Sequence, residues 1–284
     1  MKPLNLFMFI FFLLLYACNT KPMPEKEPKT EEIIMDSLPI EEPETPEPVL
    51  NLDSICLDSA LKYALKVAQT TITKQGKLEE YYEIRPADSS RSVTVSIAMG
   101  RLFSRSQQHL VLRRHLGMDI RLDIFEWRNG RFKGILTGED DFMAYVNDTI
   151  FDANGDGAKD FLLIHHPPSG CGFCYVNSVY LYQPTQHTFT PRYDFLDPTF
   201  SPTEKVIRGV AYSPHAHSDF PLYKCKWNGL KVDSLKYIYH DYKVSGQFIK
   251  VKYNPKRPTK SDSIRLKTLP REYRNIEYVD VFIH

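Results

Sequence analysis

Residues 152–160 read DANGDGAKD, and their types and spacing point to metal chemistry. Three aspartates and one asparagine alternate there with small residues. Carboxylate and amide oxygens are the ligands that Ca²⁺ prefers, and glycines let the backbone fold tightly enough to direct several oxygens at one point. The stretch therefore predicts a calcium site. The alternative is a metal-free polar turn, because Asn-Gly and Asp-Gly form turns readily in any protein.

The sequence around this loop excludes an EF-hand. On the calcium-loop template, Asp152, Asn154 and Asp156 occupy positions 1, 3 and 5, and Gly157 occupies the turning position 6. Position 12, where an EF-hand requires a bidentate Glu, is Leu163. The loop also runs into the apolar, strand-like segment FLLIH, whereas an EF-hand loop lies between two helices.

The pattern D-x-N-x-D-G-x-x-D ahead of an apolar strand resembles the calcium loops of FG-GAP and VCBS-type β-structures. This resemblance implies side-chain ligation by Asp152, Asn154, Asp156 and Asp160, and a backbone carbonyl ligand from Ala158. FG-GAP propellers repeat the loop in several blades, whereas this chain contains it once. The resemblance therefore extends to the loop and not to a propeller.

The order of features over residues 152–242 is similar to that of a family of small bacterial periplasmic proteins and lipoproteins. These proteins carry one calcium loop, and their best-understood members resemble periplasmic lysozyme inhibitors. The resemblance implies an envelope binding protein, with inhibition of a cell-wall hydrolase as the specific function to test.

The amino-terminal residues 1–17 predict a secretory signal peptide. After Met1-Lys2-Pro3 they form an apolar run that ends at Ala17, and this run is shorter than the about 20 residues of a comfortable membrane span. The tetrapeptide Leu15-Tyr16-Ala17-Cys18 resembles the lipobox of bacterial lipoproteins, which implies cleavage before Cys18 and its acylation. Several acyl chains on one residue hold a protein stably on a membrane. The alternatives are a transmembrane anchor and an unanchored secreted protein.

Residues 18–50 predict a disordered tether between the lipid and the folded domain. Proline and glutamate dominate this stretch, and it offers almost nothing to bury. The whole chain has 36 basic and 35 acidic residues, and it lacks a basic stripe interleaved with aromatic residues. We therefore predict no nucleic-acid partner.

Residues 51–284 carry the patterns of a folded domain that begins with one helix. Apolar residues recur at helical spacing over about residues 52–75, and short alternating or β-branched runs such as SVTVSIAM and IRLDIFEW follow as strands. Asn129-Gly130 and Asn228-Gly229 predict hairpin turns. No long helical pattern alternates with the strands, so we predict a mainly β fold, an antiparallel sheet sandwich or partly closed sheet with one N-terminal helix.

Four cysteines follow Cys18, namely Cys56, Cys171, Cys174 and Cys225. An even number in an oxidising compartment predicts disulfides, with Cys171 or Cys174 bridged to Cys225 as one pairing. Cys171 and Cys174 also have the spacing of a thioredoxin-type motif, so an envelope thiol–disulfide oxidoreductase is the alternative function. Such a motif needs a helix at its second cysteine, whereas YVNSVYLY after Cys174 predicts a strand.

The remaining motifs give no support to an enzyme. His165-His166 and His215-Ala216-His217 offer imidazoles for zinc, but no cysteine or carboxylate stands at a convincing spacing. The chain has no G-x-S-x-G elbow, Walker loop or dinucleotide fingerprint. The sequence thus predicts a protein of the bacterial cell envelope, periplasmic or surface-facing. It would bind Ca²⁺, hold the membrane through lipid on Cys18, and act by binding a protein partner.

Overall fold

The computed structural model of the chain describes eight segments of the folded domain, which are residues 52–72, 76–85, 92–117, 119–138, 145–167, 175–211, 220–252 and 263–283. Residues 50–284 form one compact unit. The predicted signal peptide, the tether and Cys18 lie outside the described residues, as do Cys171, Cys174, His215 and His217.

The domain begins with helix α1, Leu52–Ile72, which confirms the predicted amphipathic helix. Ala60, Ala64 and Ala68 recur every fourth residue and are fully buried. Because alanine side chains are short, the helix axis can lie close to the sheet beneath it. The residues of this interface include Leu57, Val95 and Leu112.

The first sheet is an antiparallel meander of five strands in sequence order. Its strands are β1 (Leu78–Ile84), β2 (Val93–Gly100), β3 (His109–Leu116), β4 (Asp119–Arg128) and β5 (Arg131–Thr137). Alternate residues of β3 face opposite sides, so Leu110 and Leu112 pack towards α1 and Val111 packs towards the second sheet. Both faces are covered, which makes this sheet an inner layer.

A second antiparallel sheet of four strands forms the middle of the domain, together with a short hairpin. The order in the sheet is β11, β8, β7, β6. The elements are β6 (Tyr145–Phe151), β7 (Asp160–His165), β8 (Val176–Tyr180), the hairpin strands β9 (Tyr182–Gln183) and β10 (Thr188–Phe189), and β11 (Tyr193–Leu196). On β7, Phe161 and Leu163 pack towards the first sheet, and Leu162 packs towards the third.

The third sheet is an antiparallel meander of six strands. It contains β12 (Pro198–Ser201), β13 (Val206–Val210), β14 (Leu222–Asn228), β15 (Lys231–His240), β16 (Phe248–Lys252) and β17 (Ser263–Leu266), with a 3₁₀ turn at Pro202–Glu204 between the first two. One face packs on the second sheet through Ile207 and Trp227. Part of the other face is covered by a second 3₁₀ turn, Arg271–Tyr273, and by helix α2, Val279–Ile283.

Both predicted hairpins form, but only one uses the predicted turn residues. Arg128 pairs with Arg131, so Asn129-Gly130 is the two-residue loop, with φ of 54° and 75° as a type I′ turn requires. In the second hairpin Asn228 itself pairs with Lys231, so the loop is Gly229-Leu230, with φ of 59° at the glycine. The second prediction is therefore wrong by one residue, because glycine serves equally as the first residue of a type II′ turn.

The described elements confirm a mainly β fold with antiparallel sheets and one N-terminal helix. The buried ion pair between Arg114 and Asp123 fastens the helix to the first sheet, since Arg114 also donates to the carbonyl oxygen of Leu57 at 2.7 Å. Within the described segments, no helix is both long and apolar enough to span a bilayer.

Candidate metal centre

The predicted calcium loop connects β6 to β7 in the second sheet. Phe151 at the end of β6 pairs with Asp160 at the start of β7, so residues 152–159 form the connection. Four of the five predicted ligands therefore lie in the connection, and Asp160 belongs to the strand. All five therefore lie at one end of the second sheet, in the connection and at the first residue of β7.

The carboxylate of Asp152 organises the first half of the loop. Its Oδ1 accepts hydrogen bonds from the backbone N–H groups of Gly155 at 2.6 Å and Asp156 at 3.2 Å, and its Oδ2 accepts one from Gly157 at 2.9 Å. An aspartate side chain that accepts bonds from the residues after it closes a turn locally. The first predicted ligand is therefore held in place by the loop itself.

Asn154 and Asp156 bond to each other across the turn. The backbone N–H of Asp156 donates to Oδ1 of Asn154 at 3.1 Å, and the amide nitrogen of Asn154 donates to Oδ2 of Asp156 at 3.0 Å. The second carboxylate oxygen of Asp156 accepts the N–H of Ala158 at 2.8 Å. Asn154 is buried, Asp152 is half-buried and Asp156 is exposed, so the carboxylate of Asp156 is the most open to solvent.

Asp160 is fully buried and ties the loop to its surroundings. Its Oδ2 accepts the N–H of Ala153 and its Oδ1 accepts the N–H of Tyr182, both at 2.9 Å. Burial raises the pKa of Asp160 to about 7, although the two N–H donors oppose this; the carboxylates of Asp156 and Asp152 raise the pKa further. Asp160 thus has a structural role that the ligand prediction did not include.

Two glycines allow the loop to close, each for a different reason. Gly155 and Gly157 have φ of 73° and 90°, a region that other residues rarely adopt. A Cβ at Gly155 would also overlap the backbone carbonyl oxygen of Pro202, whereas a Cβ at Gly157 would meet nothing within 4 Å. The loop therefore packs directly on the 3₁₀ turn of the third sheet at Gly155. At Gly157 only the positive φ, and no neighbouring atom, favours glycine.

The loop also joins two of the apolar interfaces between sheets. Ala153 is fully buried in the interface between the second and third sheets, and Ala158 packs at the edge of the interface between the first and second. The backbone N–H of Lys159 donates to the carbonyl oxygen of Phe103, at 3.3 Å, in the connection between β2 and β3. All three sheets thus contact residues 152–160.

The donor chemistry of the loop fits Ca²⁺. An ionised carboxylate can accept about four hydrogen bonds or metal contacts, so the carboxylates of Asp152, Asp156 and Asp160 keep acceptor capacity beyond the N–H bonds that they receive. None of these carboxylates forms an ion pair with a lysine or arginine among the described residues. Three carboxyl groups therefore lie close together in sequence at this end of the sheet, without a paired lysine or arginine among the described residues.

The side chains do not converge on one point in this structure. In the part of the chain that is described, no group of three or more His, Cys, Asp or Glu side chains is arranged to hold a metal ion. The oxygens instead accept hydrogen bonds from the loop backbone and from Asn154. The calcium site stays a prediction supported by residue types and by the fold of the turn.

A groove of about 810 Å³ opens beside the loop. Its walls include Asp156 and Lys159 from the loop and the exposed arginines Arg101 and Arg105 from the connection between β2 and β3. The two arginines form no ion pair with any described carboxylate. The candidate metal loop therefore borders a surface with unpaired positive charge.

The Tyr182 backbone N–H contacts the loop, and its hydroxyl belongs to a buried polar cluster that the sequence analysis did not predict. The Tyr182 hydroxyl donates to Oε1 of the fully buried Glu126 at 3.2 Å, and Nδ1 of His187 lies 2.9 Å from the same oxygen. Arg128 pairs with the other oxygen at 3.0 Å. A charged residue within the otherwise apolar inward positions of IRLDIFEW was the available signal.

His109 completes this cluster from β3. Its Nε2 lies 3.3 Å from the Tyr182 hydroxyl, and its ring is fully buried. Burial lowers the pKa of His109 to about 4; the nearby Glu126 carboxylate opposes this and His187 adds to it. His109 is therefore a neutral core residue at physiological pH.

His165 and the two described cysteines lack the geometry of a catalytic centre. His165 Nε2 lies 3.0 Å from the Ser178 hydroxyl, but that hydroxyl donates to Asp194 at 2.6 Å, so the carboxylate does not orient the imidazole as a catalytic triad requires. Cys56 and Cys225 are free and buried, and burial raises the pKa of Cys225 to about 12. The predicted disulfides and the zinc alternative stay predictions.

The segment after Cys174 bears on the redox alternative. The strand β8, Val176–Tyr180, lies within YVNSVYLY, the segment predicted as a strand, and the N–H of Tyr175 donates to Asp197 at 2.8 Å. A thioredoxin-type motif needs a helix at this point to lower the thiol pKa. Cys171 and Cys174 themselves lie outside the described residues.

Comparisons with known proteins identify no relative: no protein family, no curated protein and no solved structure matches the chain. The resemblances to lipoproteins, to FG-GAP and VCBS loops and to the lysozyme-inhibitor-like family therefore rest on the motifs alone.

Proposed function

We propose that this protein is a calcium-binding, lipid-anchored module of a bacterial cell envelope that acts by binding a protein partner. One observation carries the calcium part of the proposal. The carboxylates of Asp152, Asp156 and Asp160 lie in a single turn without a paired lysine or arginine among the described residues. The crowding of these carboxyl groups contributes to the raised pKa of Asp160; a bound cation would relieve it, and hard oxygen donors select Ca²⁺.

The proposed role of the ion is structural. Residues 152–160 contact all three sheets, through Ala153, Ala158, Gly155 and the N–H of Lys159. An ion that fixes this loop also fixes the contacts between layers. If the ion binds only the folded state, the free energy of unfolding increases by RT ln(1 + [Ca²⁺]/Kd), which is about 2.7 kcal/mol at a hundredfold excess over Kd.

Thermal unfolding of the full chain with EGTA and with millimolar Ca²⁺ tests this role. We expect calcium to raise the Tm by roughly 5–10 °C, since about 1 kcal/mol shifts the Tm of a domain of this size by roughly 2–4 °C. Asp156→Ala should lose the shift, because it removes the exposed carboxylate of the loop. Asp58→Ala is the matched control, since it removes the same charge from the exposed surface of α1 and should keep the shift. A wild-type Tm that calcium does not change would reduce the loop to a polar turn.

The proposed partner surface is the groove beside the loop. Arg101 and Arg105 are exposed and unpaired there, and arginine is enriched in protein interfaces because its guanidinium makes several directed hydrogen bonds. The family resemblance suggests a cell-wall hydrolase as the partner. Pull-down of muramidases from envelope extracts by the full chain tests this, with an Arg101→Ala/Arg105→Ala variant that should release them. If the wild type captures no muramidase or related hydrolase, this identity of the partner is wrong.

A further inference from the structure

The third sheet carries a row of cations on the face that points away from the second sheet. Arg208 on β13 lies directly opposite Lys224 on β14, and Lys224 lies directly opposite Lys236 on β15. Strands in a sheet are about 4.7–4.9 Å apart, so side chains at these positions are neighbours. Like charges directly opposite one another destabilise a sheet, so negative charge near this row would stabilise the sheet.

The protein supplies part of that negative charge itself. Arg208 pairs with Glu204 at 2.7 Å and with Glu272 at 3.3 Å, and Lys224 also pairs with Glu272. Glu204 comes from the 3₁₀ turn before β13, and Glu272 comes from the 3₁₀ turn that covers part of this face. Both carboxylates are thus committed to the first two cations of the row.

Two cations without an ion pair face an open cleft of about 370 Å³. Lys226 and Lys236 line it and form no ion pair among the described residues, and Asp233, opposite Lys226 in the register, does not pair with it either. The cleft is lined by Glu204, Val206, Arg208, Lys224, Lys226, Lys236 and Glu272. Four positive and two negative side chains of the described segments therefore surround it.

Arg208 provides a fixed positive charge in the wall of the cleft. Its side chain is only 6% exposed, and its Nε–H is buried without an acceptor. A buried donor without an acceptor costs about 1–3 kcal/mol, so such groups are rare in folded proteins. Its two other nitrogens already bond to Ser201, Glu204 and Glu272. The guanidinium is therefore held rigidly in the wall of the cleft.

We propose that this cleft binds a phosphate group. A phosphate offers several oxygen acceptors and up to about two negative charges, which match two unpaired ammonium groups beside a fixed guanidinium. Among the described residues, no aromatic side chain lines the cleft, so none of them stacks on a nucleic-acid base there. The phosphate belongs either to a soluble phosphorylated compound or to a lipid headgroup, and both sources present the same oxyanion. This site is independent of the calcium loop.

Isothermal titration of the full chain in nonionic detergent micelles tests the proposal with two probes. Inorganic pyrophosphate represents the soluble source, and phosphatidylglycerol added to the micelles represents the headgroup. We expect saturable binding of at least one probe, weakened about tenfold or more by Lys226→Gln/Lys236→Gln, because hydrogen bonds to charged groups carry the affinity. Both lysines lie on the surface of the cleft, so the variant should fold with an unchanged Tm.

The matched control is Lys62→Gln/Lys66→Gln, which removes the same charge from the exposed side of α1. Binding that survives in this control and fails in the cleft variant supports the site, and the probe that binds identifies the source of the phosphate. The proposal is overturned if neither probe binds the wild type saturably, or if the two double variants weaken binding equally. In either case the cations of the sheet are only a solvated surface.

Discussion

Replacing Gly155 by alanine tests how the calcium loop is fastened to the third sheet. Gly155 and Gly157 both have positive φ, so alanine at either position pays about 1–2 kcal/mol for the left-handed backbone. Only at Gly155 would the new methyl group overlap a neighbour, the carbonyl oxygen of Pro202. Gly157→Ala is therefore a control that carries the backbone cost without the steric one.

The expected difference between the two variants follows from these contacts. A backbone oxygen cannot rotate away as a side chain can, so the loop and the 3₁₀ turn at Pro202–Glu204 must separate. Forcing an extra methyl group into a packed site costs about 1–3 kcal/mol. We expect Gly157→Ala to lower the free energy of unfolding by about 1–2 kcal/mol. Gly155→Ala should lower it by about 2–5 kcal/mol, the sum of the two costs.

Urea unfolding of the full chain in EGTA, followed by tryptophan fluorescence, measures this difference without a contribution from calcium. Trp227 lies in the interface between the second and third sheets, so its emission reports separation of these layers. Equal losses of stability in the two variants would refute the close packing of the loop on Pro202. A larger loss for Gly157→Ala would show that the turn at that position, and not the contact at Gly155, limits stability.

Two further predictions concern buried charge in the first sheet. Burial lowers the pKa of His109 from 6.5 to about 4, so the contribution of neutral His109 to stability is complete above pH 6.5 and is lost as the pH falls towards 4. The free energy of unfolding should fall by about 3 kcal/mol over this range. Urea unfolding of His109→Gln between pH 7 and 4 should show a smaller fall. Asp123→Ala should cost about 3–5 kcal/mol, because it leaves the buried Arg114 without its carboxylate, whereas Glu79→Ala at the exposed pair with Lys77 should change stability by less than about 1 kcal/mol. Equal effects of Asp123→Ala and Glu79→Ala in urea would contradict the burial of the first pair.

The elements that were predicted correctly depend on information carried by neighbouring residues. The turn at Asn129-Gly130 follows from the tolerance of these two residues for positive φ, and the strand at Val93–Gly100 follows from alternation of apolar side chains. The second hairpin shows the limit of this reasoning. Both Asn228-Gly229 and Gly229-Leu230 are acceptable turns, and the pairing of Asn228 with Lys231 selects the latter.

In the candidate site, too, neighbouring residues determine part of the structure and tertiary packing determines the rest. The residue types and spacing of DANGDGAKD are sufficient to close the turn, since Asp152 accepts N–H bonds from the residues three to five positions after it. The second role of Asp160 could not be predicted, because its partner Tyr182 is distant in sequence and reaches it only when the hairpin packs against β7. Burial of the carboxylate, and with it the raised pKa, is likewise a consequence of that packing.

By itself the sequence determined the N-terminal helix, most of the strands and the composition of the loop, because each depends on backbone preference or on the period of apolar residues along the chain. Only the tertiary structure decided which distant side chains became neighbours. It buried Glu126 among His187 and Tyr182, and it aligned Arg208, Lys224 and Lys236 across three strands. Strand register fixes such contacts, and register is set by the packing of whole sheets, so no local pattern reveals it.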